Sequence, residues 1–479
     1  MVGACVYSRS YRYGKCIIIE YKYSRFIYIF MCGIFGIFSY IPNSENINAV
    51  INGLKLLQHR GKDGSGIAYL TTDLKLKLLK ILGKVREGFM DYQNLEDTFI
   101  CIGHVRYSTS GKTVNNSFST DAEKKNELQP FIGKNKHNNL ISIVHNGNIP
   151  NIKQHDTQFI LDIILNSNLS VEETLIGIMN TIPAAYSLLI VVDKTLYVMR
   201  DRYGIRPLCI GYKDGKVYVS SETRPLDDCT DIREIQSGEI LRINENGVKT
   251  IYIHPCSVNS LCAFELIYFM NPKSYINGQS VNSIRQRLGQ ALAKKEKIIP
   301  KNSDYIVVGV PSSGLIAARA YADALNLQYQ QLVKKVVNCV NGEDRTFILI
   351  NNAERKKACR KKFKFDSEKI KDKKIILVDD TIVRGNVIQT VIESLEICGV
   401  KEVHIRIPAP PVVDRCQLGI AIQTKEELIM NNRTIDKVRD ILGVLSLDYL
   451  TLDELTMFPK NAYKECFGGG IADEIVKKL

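Results

Sequence analysis

Apolar residues follow one rhythm in the first half of the chain, up to about His254. Short β-like runs alternate with turn residues, as in TFICIGHVRYST and AAYSLLIVVDKTLYVMRD, and the Asp214-Gly215 pair predicts the tip of a hairpin. One stretch has helical periodicity instead, and its apolar positions are Ile47, Val50, Ile51, Leu54 and Leu57. Gly61 follows that stretch as a predicted helix stop. This half therefore predicts antiparallel sheet with an intervening helix.

A second rhythm begins after about Pro255, where each apolar strand is followed by a loop and a helix. DYIVVGVPSSG leads into LIAARAYADALN, and KKIILVDDTIVRG leads into NVIQTVIESLEICG, where Gly399 is placed to end the helix. Strands that alternate with helices indicate a parallel, doubly wound sheet, whose ligands bind beyond the carboxyl ends of the strands. VPSSG and VDDTIVRG are the two candidate sites there. We expect domains at residues 32–255 and 256–479.

Composition and charge narrow the possible partners. The 479 residues are enough for two domains, and no stretch reaches the roughly 18 apolar residues of a membrane span, so we expect no membrane partner. The net charge of +13 favours anionic partners. Much of the charge lies in residues 354–365 and 369–374, which form either a solvated face or a phosphate-facing surface. No zinc-finger, basic-zipper or RNA-binding pattern accompanies it, so specific nucleic-acid binding is not expected.

The cysteines and the first residues bear on the cellular compartment. The thirteen cysteines are scattered without paired spacing, which argues against a disulfide framework and predicts a reducing, cytoplasmic setting. Residues 1–31 are rich in Tyr, Arg and Lys but lack the apolar core and cleavage site of a secretory signal. They are interpreted as an upstream start that is not used, a targeting segment or a removed propeptide, and targeting to an organelle stays open.

The VDDTIVRG segment has the chemistry of a ribose-phosphate pocket. A buried apolar strand delivers Asp379 and Asp380 to the edge of the sheet, where adjacent carboxylates can hold sugar hydroxyls or Mg²⁺. Thr381, Arg384 and Gly385 then lead into the N-terminus of a helix, whose free backbone N–H groups suit a phosphate. Two acids alone are often only a solvated strand end. The apolar run before them and the Arg-Gly turn after them favour the pocket.

This segment resembles the phosphoribosyltransferase motif, and the whole chain resembles the glutamine phosphoribosylpyrophosphate amidotransferases. Motifs of that family occur in the family's order, namely CGIFGIF, LQHRGKDGSGI, GHVRYSTSG, VHNGN, AAYSLLIV, RDRYGIRPL, FELIYF, RTFI, KEVHIRI and EEL. The resemblance covers essentially everything from Met31 to the C-terminal region. It implies an N-terminal αββα glutaminase, with antiparallel sheets between helices, followed by an α/β phosphoribosyltransferase with a doubly wound parallel sheet.

The resemblance implies that Cys32 is the nucleophile of an N-terminal nucleophile hydrolase. Its α-amino group then handles the proton, because an α-amine titrates at about pH 7.7–8.0, whereas a lysine titrates near 10.4. Cys32 must therefore be the first residue of the working protein, with residues 1–31 absent. The resemblance also assigns Asn146 and Gly147 to the oxyanion hole, Arg106 to the glutamine α-carboxylate and Asp156 to its α-ammonium.

The transferase half is assigned to phosphoribosylpyrophosphate on the same grounds. Asp379 and Asp380 would hold the ribose hydroxyls and Mg²⁺, and a flexible segment with Arg345 and Lys334 would close over the pyrophosphate. The other residues assigned to this substrate lie in its two loops and are Ser312, Ser313, Gly314, Thr381, Arg384, Gly385 and Asn386.

Several positions depart from the family pattern. Asn386 and Val387 stand where the family supplies hydroxyls to the 5′-phosphate, and each lost hydrogen bond to a charged group is worth roughly 1.5–3 kcal/mol. Ser312 replaces an acid in the pyrophosphate loop. Some relatives hold an iron–sulfur cluster on four cysteines. Here three positions match and are Cys262, Cys416 and Cys466, but the fourth is Lys464, so we do not expect a cluster.

The resemblance implies an enzyme that makes 5-phosphoribosylamine, glutamate and pyrophosphate from glutamine, phosphoribosylpyrophosphate and water, the committed step of purine synthesis. It further implies a homo-oligomer, dimer or tetramer, and purine nucleotides as feedback inhibitors. Two alternatives stay open. One is a glutamine amidotransferase that delivers ammonia to another phosphorylated acceptor. The other is a phosphoribosyl-binding regulator without catalytic activity, which the presence of Cys32, Arg106 and Asn146 disfavours.

Overall fold

The computed structural model of the chain describes residues 31–469, apart from 90–95, 108–119, 151, 153–154, 302, 337–362, 417, 419–421 and 423. Across these residues, no helix combines the length and the apolar character that crossing a bilayer requires.

The first half contains two antiparallel sheets that pack face to face. The strands of the larger sheet are, in spatial order, Thr230–Glu234, Cys209–Lys213, Lys216–Ser220, Gly33–Asn43, Thr98–Arg106, Gly64–Thr71 and Leu76–Leu82. The strands of the smaller sheet are Gly247–Ile253, Glu239–Asn244, Thr195–Arg200, Ala185–Val192, Leu140–Asn148 and Phe131–Lys134. Asp214 and Gly215 both have positive φ at a hairpin tip, as predicted.

Helices cover the outer face of each sheet, so the strands are buried on both sides. In the strand Gly33–Asn43, Ile34 and Phe38 face the core between the sheets, whereas Phe35 and Ile37 pack under the helix Asn46–Leu56. This double burial explains why the strand is apolar at successive positions rather than alternating. The predicted αββα arrangement is confirmed.

The second half contains a five-stranded parallel sheet. Its strands are, in spatial order, Gln328–Tyr329, Ile306–Gly309, Lys374–Val378, Glu402–Ile407 and Ser446–Tyr449. Two short strand pairs accompany it, namely Tyr275–Ile276 with Gln279–Ser280 and Val333–Lys335 with Phe363–Phe365. The predicted doubly wound parallel sheet is confirmed, and Gly399, at φ +77°, follows its helix at the predicted stop.

The helical segments of the described residues connect these strands. The α-helices are Asn46–Leu56, Val85–Gly88, Asp121–Asn126, Asp156–Asn166, Val171–Thr181, Val281–Lys294, Leu315–Leu325, Ser367–Ile370, Asn386–Ile397 and Ile435–Leu442. A π-helical turn spans Glu265–Phe269, and 3₁₀ turns span Arg224–Leu226 and Glu465–Phe467. The prediction that Gly61 ends the first helix is wrong, since that helix ends at Leu56. Gly61 is needed elsewhere: a Cβ there would lie 2.6 Å from the Arg106 backbone.

Candidate active sites

Cys32 lies directly before the strand Gly33–Asn43, beside Arg106 at the end of the neighbouring strand. Its thiol donates a hydrogen bond to the Tyr107 carbonyl, with a sulfur–oxygen distance of 3.6 Å. Burial raises the pKa of the Cys32 thiol and outweighs the opposing effects of this hydrogen bond and of the Arg106 charge. The thiol is therefore protonated at neutral pH and needs a base before it can attack.

Arg60 holds the backbone of this cysteine. Its Nε donates to the Cys32 carbonyl at 3.0 Å, while its Nη1 donates to Glu222 Oε1 at 2.6 Å. The guanidinium also makes a two-pronged contact with Glu265, at 3.0 and 2.8 Å. All three charged side chains are fully buried. Because Glu265 belongs to the second half of the chain, residues of both halves determine where Cys32 sits.

Glu222 extends the same cluster into the second half. Its Oε2 accepts hydrogen bonds from the Asn271 backbone N–H and the Ser274 hydroxyl, both at 2.8 Å. Its Oε1 also lies 2.8 Å from His59 Nε2. Burial alone would raise the pKa of Glu222, but His59 and Arg60 lower it further than burial raises it. Glu222 is therefore held as a carboxylate at neutral pH.

Asn146 and Gly147 lie near the end of the strand Leu140–Asn148. The Asn146 side chain is buried, and its Nδ2 has no hydrogen-bond partner among the described residues. A buried donor without a partner is unfavourable unless a ligand supplies the acceptor. Gly147 has no room for a side chain, since a Cβ would lie 2.1 Å from the Ala185 carbonyl oxygen. This pair has the character of an oxyanion hole, with donors set in place beforehand.

Arg106 and Asp156 lie close enough to Cys32 for both charges to act on its thiol. Both side chains are buried. Burial would raise the pKa of Asp156, but His145 and His155 lower it well below its usual range. His155 stands between the two charged groups, with its Nε2 3.1 Å from Arg106 Nη1 and its Nδ1 3.3 Å from Asp156 Oδ1. The structure therefore places the two predicted glutamine-binding residues in one buried pocket beside Cys32.

The two predicted loops of the transferase half also meet. Gly309 pairs with Val378 in adjacent parallel strands, so the segments that follow them emerge at the same edge of the sheet. The hydroxyls of Ser313 and Thr381 both hydrogen-bond the Asp380 carboxylate. Burial raises the pKa of Asp380 and outweighs these hydrogen bonds. A buried carboxyl in this state gains from a cation or from donor hydroxyls.

Arg285 supplies a buried positive charge near Asp380. Its Nε donates to the Leu266 carbonyl at 2.9 Å, and its Nη2 donates to the Met270 carbonyl at 2.8 Å. Burial lowers the pKa of Arg285 to about 10, although Asp380 counteracts the effect. The Leu266 carbonyl lies within the π-helical turn that carries Glu265 and the Met270 carbonyl directly follows it, so Arg285 is held by the same turn as Glu265.

The predicted phosphate loop leads into the helix Asn386–Ile397. Gly385 precedes it with φ +82°, and a Cβ at that position would lie 2.5 Å from Ile429. Only glycine fits this turn without strain. Arg384 forms a partly buried ion pair with Glu427, with its Nε 3.0 Å from Glu427 Oε2. The Glu427 carboxylate neutralises the charge of the Arg384 guanidinium, so the main effect of Arg384 is to hold the loop in place.

Three other residues predicted to bind phosphoribosylpyrophosphate are either exposed or outside the described residues. Lys334 is exposed on a short strand, where it pairs with Lys364. Arg345 lies outside the described residues, as do residues 354–362 of the basic segment. Ser312 is exposed at the tip of the pyrophosphate loop.

Cys262, Cys416 and Cys466 are brought together, since each thiol influences the ionisation of Cys466 or Cys262. Within the described part of the chain, no three His, Cys, Asp or Glu side chains are arranged to hold a metal ion. The three thiols with Lys464 do not fit a four-thiolate cluster, and no step of the chemistry below is assigned to one. The expectation of no cluster stays a prediction.

Sequence reasoning missed four residues that organise these sites, namely Glu222, Glu265, Arg285 and His155. Each is polar and lies largely inside the protein, which a one-dimensional pattern does not show. Two motifs contained a signal. FELIYF carries the charged residue Glu265 among apolar residues, and HRG carries the charged residue Arg60 directly before Gly61.

Comparisons with known proteins agree with this geometry. The glutamine amidotransferase domain family matches residues 115–228, and the phosphoribosyl transferase domain family matches residues 280–412. The amidophosphoribosyltransferase of Methanocaldococcus jannaschii is 35% identical over 467 residues, covering 89% of this chain and 93% of the relative. That of Rattus norvegicus is 34% identical, covering 88% of each chain.

A solved structure extends the likeness to three dimensions. The glutamine phosphoribosylpyrophosphate amidotransferase of Bacillus subtilis, complexed with ADP and GMP, aligns with a TM-score of 0.80 at 30% identity. The alignment covers 92% of this chain and 97% of that one. The likeness therefore includes both halves and their relative arrangement.

Proposed function

The chain belongs to the amidophosphoribosyltransferase family, and from this premise we propose that its two sites carry out the two halves of that reaction. The enzyme makes 5-phosphoribosylamine, glutamate and pyrophosphate from glutamine, phosphoribosylpyrophosphate and water, a step of purine biosynthesis. The observation that carries the assignment of the sites is the meeting of Cys32, Arg106 and Asp156 in one buried region. Asn146, whose Nδ2 has no partner among the described residues, follows His145, which contacts Asp156.

In the glutaminase half, the Cys32 sulfur attacks the side-chain carboxamide carbon of glutamine. The α-amine of Cys32 takes the thiol proton and passes it to the departing ammonia. The oxyanion that forms is stabilised by Asn146 Nδ2 and the Gly147 N–H. Water then cleaves the thioester and releases glutamate. This scheme requires a free amine on Cys32 and therefore loss of Met31, whose buried side chain now lies against Arg206.

Arg106 and Asp156 bind the two ends of glutamine that do not react. The guanidinium donates to the α-carboxylate, and the carboxylate of Asp156 accepts from the α-ammonium. The depressed pKa of Asp156 supports this assignment, because the residue keeps its negative charge throughout the physiological range. Together the two groups select an α-amino acid over a simple amide.

In the transferase half, Asp379 and Asp380 hold the ribose hydroxyls of phosphoribosylpyrophosphate. The loop Ser312–Gly314 faces the pyrophosphate, and the loop from Thr381 to Asn386 faces the 5′-phosphate. Asp379 and Asp380 fit Mg²⁺, which binds through one or two carboxylates together with phosphate oxygens. When bound, Mg²⁺ neutralises charge on the departing pyrophosphate. Arg345 and Lys334 remain proposed contacts of a closing segment.

Further proposals concern partners and setting. The Bacillus subtilis relative was solved with ADP and GMP, which supports purine nucleotides as inhibitors of this enzyme. We propose a homo-oligomer and the domain limits 32–255 and 256–479. The scattered spacing of the cysteines supports a reducing, cytoplasmic setting.

Pyrophosphate release tests the assignment. The protein is produced with Met31 as the start codon and given phosphoribosylpyrophosphate and Mg²⁺, with glutamine in one arm and ammonium in the other. Release in both arms is expected, and Cys32→Ala abolishes only the glutamine arm. Glutamine hydrolysis without pyrophosphate release in either arm would point to a different acceptor. Salt-sensitive DNA binding without either activity would point to a regulator.

A further inference from the structure

His155 occupies the space between the two charged groups of the amino-acid pocket. Its side chain is 10% exposed. The ring meets Phe131 edge to face, with centroids 4.9 Å apart and an interplanar angle of 86°. Its two nitrogens face opposite ways, Nε2 toward Arg106 at 3.1 Å and Nδ1 toward Asp156 at 3.3 Å. The imidazole therefore spans the pocket from the guanidinium to the carboxylate.

The two ring nitrogens face groups of opposite kind. A guanidinium has only donors, so the Nε2 that faces Arg106 is placed to accept from it. Nδ1 lies 3.3 Å from Asp156 Oδ1 but has no hydrogen-bond partner among the described residues. The ring thus contacts the cation through one nitrogen and the anion through the other.

We propose that His155 is a positioning residue of the glutamine pocket, which keeps Arg106 and Asp156 apart so that each is available to one end of the substrate. The inference rests on the proposed function of that pocket. Arg106 and Asp156 are opposite charges in one buried site. The charge of Asp156 raises the pKa of Arg106, against the larger effect of burial. Without the ring between them they would attract each other directly, because opposite charges interact strongly in a buried site.

A direct pair would consume both binding groups at once. The glutamine α-carboxylate would lose its cation, and the α-ammonium would lose its anion. The imidazole ring, placed between the two groups, prevents this pairing. Asp156 also keeps local support, since its Oδ1 accepts from the Thr157 N–H at 2.8 Å and its Oδ2 lies 3.6 Å from His145. Arg106 Nη2 lies 3.7 Å from Glu127.

His155→Ala tests the proposal in the full enzyme produced from Met31. The KM for glutamine is expected to rise roughly 10- to 100-fold, the value of one hydrogen bond to a charged group, with kcat changed much less. Ammonia-dependent pyrophosphate release should stay unchanged, since it bypasses the pocket. His155→Gln should restore most of the affinity, because its amide again offers an acceptor to Arg106 and a donor to Asp156. His137→Ala, at an exposed histidine, is the matched control.

The preference for glutamine over a substrate analogue distinguishes a positioning role of His155 from a general loss of folding. Glutaramate is glutamine without its α-ammonium group, and the wild-type enzyme should reject it because Asp156 is then left unpaired. In His155→Ala the ratio of kcat/KM for glutamine over glutaramate should fall about tenfold or more. A variant that lost both substrates equally, or an unchanged KM for glutamine, would overturn the proposal. A wild-type enzyme without glutaminase activity would overturn the proposed function as well.

Discussion

Removing Arg60 should destabilise the contact region between the two halves of the chain. The side chain is fully buried and contacts three groups, the Cys32 carbonyl, Glu222 and Glu265. Arg60→Met keeps most of the volume but removes the closest arginine from two buried carboxylates, which keep only His59 and Arg206 nearby. Breaking a buried ion pair from one side destabilises a protein by about 3–5 kcal/mol. We expect a loss of that size in the free energy of unfolding.

The loss should depend on pH in a defined direction. The pKa of Glu222 is depressed in the folded protein, so its contribution to stability is full above its unfolded pKa of about 4.3 and is lost as pH falls through the folded value. In Arg60→Met one of the two cations that lower this pKa is lost while His59 remains, so the pKa of Glu222 is higher in the variant than in the wild type. The gap in stability between wild type and variant is therefore widest at neutral pH and narrows as the pH falls toward 5.

Urea unfolding followed by circular dichroism at pH 7.5 and pH 5 measures both effects. The midpoint should drop by roughly 1 M at pH 7.5, since m-values exceed about 1–3 kcal/mol/M in proteins of this size. The triple variant Arg60→Met, Glu222→Gln, Glu265→Gln should recover much of the loss because the two carboxylates that lost Arg60 are then replaced by neutral amides. Arg439→Met, at an exposed ion pair, is the control and should change little. An Arg60→Met midpoint close to wild type, or a gap that is the same at both pH values, would refute the reasoning.

Other predictions concern the individual sites. Asn146→Ala should lower glutamine-dependent kcat by about 10²–10³-fold and leave ammonia-dependent activity intact, and equal loss of both activities would contradict an oxyanion role. Gly385→Ala should raise the KM for phosphoribosylpyrophosphate and lower the melting temperature, because φ is +82° and the new methyl meets Ile429; full activity would show that the turn is not strained. Glu427→Gln should release Arg384 and raise the same KM while glutaminase activity persists, whereas an unchanged KM would argue against a loop-fixing role.

Much of the fold was predictable because it follows from local patterns. Repeated short apolar runs indicated the antiparallel half, and the strand–loop–helix rhythm indicated the parallel half. The Asp214-Gly215 turn and the Gly399 stop follow from the freedom of glycine and aspartate at positive φ. The prediction that Gly61 ends the helix was wrong because a glycine is needed there for close contact with the Arg106 backbone. Helical periodicity does not reveal such a contact.

The sequence alone determined which chemical groups the two sites would contain. A cysteine beside glycine, the HNGN segment and the Asp379-Asp380 pair carried their chemistry in adjacent residues, so they were readable in one dimension. Only the tertiary structure decided which partners hold those groups. Arg60 and Glu265 are 205 residues apart, yet they form a bidentate buried pair, and His155 acquires its place only when Arg106 is folded against it. The physical reason is that burial of a polar group requires a partner, and folding, rather than sequence spacing, determines which distant residue supplies it.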